Sequence, residues 1–67
     1  MAVLKVVELM SSSEKSWEDA TSKALAKASK SIKGIKSAWV KDQSVIVDKG
    51  VVTSFRVTLK VSFKVGK

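Results

Sequence analysis

Alternation of apolar and polar residues is strongest near the C-terminal end of the chain. Val51, Thr53, Phe55, Val57, Leu59, Val61, Phe63 and Val65 fall on one side of an extended backbone. Ser54, Arg56, Thr58, Lys60, Ser62 and Lys64 fall on the other. A period of two predicts a strand over 51–65 with one buried and one polar face. Just before it, Asp48-Lys49-Gly50 reads as a tight hairpin connection, with Gly50 free to take a positive φ. Residues 36–47 are then its antiparallel partner. Residues 2–9 are rich in Val and Leu without a helical period and predict a first strand, stopped by Ser11, Ser12 and Ser13.

The segment between these strands has a different rhythm. Trp17, Ala20, Ala24, Ala28 and Ile32 recur three and four apart, with Leu25 at the edge of the stripe. Glu14, Glu18 and Asp19 precede Lys23, Lys27, Lys30 and Lys33, an order that complements a helix dipole. This predicts a helix over 14–33. Ser13 is the expected N-cap, Ser11 with Glu14 fits a capping-box spacing, and Gly34 is placed to end the helix in the left-handed conformation. Three alanines in the buried stripe let the helix lie close to the sheet, so the core it covers is thin.

These elements define an α+β fold: a single βαββ unit over 1–67, its three-stranded antiparallel sheet wrapped around one helix. At ~3.3 Å per residue a strand over 51–65 reaches roughly 50 Å. A domain of 67 residues should measure only about 28 Å across. The strand is therefore expected both to bend around the helix and to reach into neighbouring subunits. One helix covers one sheet face, which leaves the other bare.

Composition adds to the case for self-association. A chain this short buries only about 60 % of the surface it exposes when unfolded, and small domains need some further support. With no cysteine and no histidine, disulfides and thiolate or imidazole metal sites are excluded. The same absence removes the usual groups for acid–base work near neutral pH, so the protein is not expected to be an enzyme. Thirteen Lys and Arg against six Asp and Glu give a net charge of +7, which suits anionic partners. No apolar run is long enough to span a bilayer. Lys5 interrupts the start before a signal-peptide core could form, which makes the cytoplasm the expected compartment.

If Ala38 and Val40 face the helix, Ser37, Trp39 and Lys41 face away, on the bare side. Trp39 and Arg56 are then outward residues that a paired strand could bring into one neighbourhood. A Trp beside an Arg can stack on a ligand or anchor a subunit interface.

The order and spacing of these parts resemble the dodecins. The resemblance rests on the helix start Ser12-Ser13-Glu14-Lys15-Ser16-Trp17, the alanines at 20, 24 and 28, Ile32, and the closing run Phe55 to Phe63. It implies a βαββ subunit, twelve of which close into a hollow shell. It also implies flavin, riboflavin or FMN, bound in pairs between subunits. The flavin ring would stack on a Trp of the second strand and bond to a Gln of the third. This chain has Ser37 and Arg56 at those positions. Trp39 lies two residues beyond Ser37 on the same face, which makes it the candidate stacker, Arg56 the polar clamp and Ser37 the lining of the vacated space. A branch of dodecin-like proteins is associated with calcium, which makes calcium the alternative ligand. The function expected from the resemblance is a homododecameric shell that stores or buffers a small ligand.

Three further features have plainer readings. Copies of Glu8, Asp42 or Asp48 could converge across a symmetry axis on a hard cation, although Asp48 also suits the turn and the other two suit lysine partners. The helix lysines could meet nucleic acid, but a single arginine and the lack of a recognition motif favour a solvated face. Ser11 to Ser13 could cradle a phosphate; capping suits them better, beside an acidic first turn.

Overall fold

The computed structural model describes residues 3–66. Strand β1 spans Leu4–Ser13, helix α1 Trp17–Ser31, strand β2 Ile35–Asp48 and strand β3 Val51–Lys64. Both pairings are antiparallel, and β3 is the central strand, in the order β1-β3-β2. Its central position explains why β3 has the cleanest alternation, since it alone has partners on both edges. The expected βαββ architecture is the one observed.

The core is as thin as the alanine stripe implies. Ala20 of the helix meets Val57, Leu59 and Val61 of β3, all four fully buried. Val7, Leu9, Trp17, Ala24, Leu25, Ile35 and Ala38 pack around them. The helix lies over β1 and β3 rather than over β2. At its start Trp17 is the tie to β2: its Nε1 donates to the Ser44 carbonyl at 3.0 Å. Its ring also meets Phe55 edge-on, with centroids 5.2 Å apart.

Several boundaries differ from expectation, each for a local reason. Strand β1 continues through Ser11, Ser12 and Ser13, because β3 offers Val57, Arg56 and Phe55 as ladder partners. Pairing outweighs the turn preference of serine. The predicted start at Ala2 lies outside the described residues. The helix begins at Trp17 and not at Glu14. Its N-cap is Ser16, extended at φ −170°, whose hydroxyl accepts from the Asp19 amide at 2.9 Å. Ser13 serves the preceding turn instead, accepting from the Lys15 amide and donating to the Asp19 carboxylate. Ser11 makes no capping box; its hydroxyl donates to the Ala20 carbonyl. At the other end Ile32 is the C-cap in an extended conformation. Gly34, at φ 77°, therefore turns the chain into β2 rather than ending the helix.

The hairpin turn is Lys49-Gly50, with φ values of 52° and 80°, so a lysine as well as the glycine takes the left-handed region. The ladder closes at Asp48 opposite Val51. One register shift follows between Ile46 and Val47, where Thr53 has no opposite residue and its hydroxyl donates to the Ile46 carbonyl. Val52 then stands opposite Val47 and Val51 opposite Asp48. Val51 thereby leaves the face that Phe55 to Phe63 share, a departure from unbroken alternation. Two more shifts leave Lys41 and Lys36 without an opposite residue in β2.

The molecule measures 51 × 19 × 13 Å. The long strands do not curl enough to reach the expected width of a small domain. The β2–β3 hairpin projects instead, beyond the end of β1 and past the helix.

Candidate functional site

The outer face of the sheet holds the three ligand residues proposed from the sequence, Ser37, Trp39 and Arg56, and the ladder sets their spacing. Four cross-strand rows run β1–β3–β2: Val6–Ser62–Ser37, Glu8–Lys60–Trp39, Met10–Thr58–Asp42 and Ser12–Arg56–Ser44. Ser37 and Trp39 share this face in adjacent rows. Arg56 does not join them. It stands opposite Ser44, while Trp39 stands opposite Lys60. Four positions of β3 separate the two rows, about 13 Å of strand. The expected Trp39–Arg56 neighbourhood is therefore not formed within one subunit. The reason is the closing pair of the hairpin: counting back from Asp48 and Val51 brings Trp39 to Lys60. The shifts at Thr53 and Lys41 fall on opposite strands and cancel. That count was available from the turn residues alone.

The three residues have different surroundings. Ser37 is locked to Ser62 by a hydroxyl–hydroxyl bond of 2.7 Å, so this row presents a closed polar pair. The Trp39 side chain is half exposed, at 48 %. Arg56 is partly buried at the edge of an open groove that Met10, Ser11, Ser12 and Ile46 also line. Thr58 and Ser62 are buried although the helix lies on the other face. Both are short and stand between longer side chains on the same face, Arg56 and Lys60 around Thr58 and Lys60 and Lys64 around Ser62.

Charge on this face is mostly paired or spread out. Lys41, pushed outward where β2 gains a residue, reaches the Glu8 carboxylate at 3.3 Å across the width of the sheet. Sequence reading placed Lys41 outward and gave Glu8 a lysine partner; the structure identifies that lysine as Lys41. Asp42 stands opposite Thr58, and Asp48 precedes the turn. Among the described residues no three His, Cys, Asp or Glu side chains gather as a metal site would require. On the opposite side of the molecule Lys27, Lys30 and Lys33 are exposed, and Lys23 pairs with Asp19 at 3.1 Å. The Ser13 hydroxyl, then Lys23, hold the Asp19 carboxyl below its ordinary value. Among the described residues no helix is long and apolar enough to cross a membrane.

Comparison with known proteins adds three findings. The Dodecin family model matches residues 3–66. Calcium dodecin of Mycobacterium tuberculosis is 38 % identical over 64 residues, covering 96 % of this chain and 90 % of the relative. Its crystal structure, described as that of a calcium-chelating antigen with a calcium-binding site, superposes with a TM-score of 0.83 at 37 % identity, covering 96 % of this chain and 91 % of that one. A Thermus thermophilus dodecin variant superposes with a TM-score of 0.92 at 31 % identity, each chain covered in full.

Proposed function

The chain belongs to the dodecin family, and from that premise we propose that it assembles into a closed homo-oligomeric shell, of twelve subunits, that holds a small ligand between subunits in the cytoplasm. One observation carries the assembly. The outer face and the projecting hairpin expose Val6, Met10, Trp39, Ile46, Val47, Val51 and Val52, and nothing among the described residues covers them. Apolar surface on this scale marks an interface. Copies of the chain are the occupant the family supplies. The role is binding rather than catalysis.

Calcium is the ligand the residues favour over flavin. Where the resemblance requires a stacking ring, Ser37 presents a hydroxyl already bonded to Ser62. Where it requires an amide, Arg56 offers donors only. Hard oxygen donors are available as Glu8, Asp42 and Asp48, and calcium takes such ligands. One subunit does not gather three of them, so the cation site needs a second copy. A relative named for calcium, at 38 % identity, supports the same choice. Flavin remains the second reading because of a single feature, the half-exposed Trp39 indole.

Calorimetric titration with calcium, run beside riboflavin fluorescence quenching, separates the two. The cation reading predicts calcium heat that is lost in Asp42→Asn and unchanged riboflavin emission. Quenching that disappears in Trp39→Ala, with no calcium heat, would replace calcium by flavin.

A further inference from the structure

The serines of the sheet are nearly all occupied. Ser37 and Ser62 bond to each other, Ser11 donates to the Ala20 carbonyl and Ser13 to Asp19, while Ser54 reaches the Ser13 carbonyl at 3.5 Å. Two hydroxyls, those of Ser12 and Ser44, have no hydrogen-bond partner among the described residues. These two flank Arg56, one on each neighbouring strand and directly opposite it in the ladder. Arg56 is the only arginine in the chain. Among the described residues the ion pairs are Lys23–Asp19 and Lys41–Glu8, and neither involves it. Three uncommitted donor groups thus lie in one row across three paired strands.

We propose that the row Ser12–Arg56–Ser44 is a binding seat for a phosphate-type oxyanion. A guanidinium presents a planar fork that meets two oxygens of such a group at once. Serine hydroxyls on either side rotate to donate to the remaining oxygens. The paired strands hold all three side chains on one face, so little order is lost on binding. Arg56 lines a groove with Met10, Ser11, Ser12 and Ile46. Resting on the proposed assembly, this groove lies where copies of the chain meet, so the seat is a ligand position between subunits. This site takes the opposite charge to a cation site and does not depend on one.

The test uses the intact oligomer, inorganic phosphate as the probe and a calcium chelator throughout, which separates this seat from the cation reading. Because the chain has one arginine, the Arg56 Nε–H gives a single assignable NMR signal. Phosphate titration is expected to move that signal along a saturating curve. Arg56→Gln should weaken phosphate binding by about tenfold or more, since it removes a charge-assisted donor pair. Ser12→Ala with Ser44→Ala, which keeps the guanidinium, should weaken it by about three- to tenfold. Lys27→Gln with Lys30→Gln should leave it unchanged. An Arg56 signal that does not move, or binding that survives the double serine variant and fails in the lysine variant, overturns the proposal. The serine variant keeps the test valid should Arg56→Gln fail to assemble.

Discussion

The β2–β3 hairpin has two halves of similar composition and opposite circumstances. In the half near the termini, Val57, Leu59 and Val61 are fully buried beneath Ala20 and beside β1. In the half near the turn, Val47, Val51 and Val52 stand 55 %, 62 % and 46 % exposed. Both halves are valine-rich, so hydrophobicity does not distinguish them. Cover does. Strand β1 pairs with β3 only from Phe55 onward, and the helix begins level with the same residue, at the Trp17–Phe55 contact. Beyond Ser54, whose hydroxyl still reaches the Ser13 carbonyl, the ladder continues with neither β1 nor the helix beside it among the described residues. On the proposed assembly, this apolar ribbon past the subunit's own core is the surface that meets further copies.

The largest effect belongs to the covered half. Leu59→Ala removes the largest fully buried side chain and should cost about 2–5 kcal/mol, read as a fall in the urea midpoint. Next comes the bare half. Val47 and Val52 stand opposite each other, so Val47→Lys with Val52→Glu replaces an apolar pair by a paired charge. The subunit fold should change by less than about 1 kcal/mol, while native mass spectrometry shows the assembly lost. If assembly persists, the contrast between the halves has no functional meaning. Ser16→Ala, which strips the N-cap over the covered half, should cost about 1 kcal/mol in the same urea assay.

The smallest effect is a pH dependence at the helix start. Asp19 is held below its ordinary value by Ser13 and Lys23. Its contribution is therefore complete above the unfolded value near 3.8 and is lost as the pH falls through the folded one. Asp19→Asn should lower the urea midpoint at neutral pH and flatten its decline in acid.

The element order and the inward face of β3 were readable because both are patterns within one segment. The alternation from Phe55 to Phe63 and the alanine stripe at 20, 24 and 28 each repeat with a fixed period. The elements misjudged depended on partners elsewhere in the chain. Ser11 to Ser13 look like a turn in isolation and become strand because β3 pairs with them. Ser13 and Ser16 are both chemically suitable caps, and only the continuation of β1 through Ser13 decides between them. The shifts at Thr53, Lys41 and Lys36 carry no composition signal, yet they decide which residues face the helix along β2. At the candidate site, the outward placement of Ser37, Trp39 and Arg56 followed from alternation. Their separation followed from the hairpin count, which local pattern alone does not supply. The free hydroxyls beside Arg56 belong to the register and were not visible beforehand.

The central claim is that the uncovered face and hairpin are buried by further copies of this chain. A native mass spectrum of the wild-type protein tests it most directly. The account predicts one dominant species at the mass of twelve subunits, replaced by smaller species in Val47→Lys with Val52→Glu. A wild-type spectrum containing only monomer or dimer would contradict it.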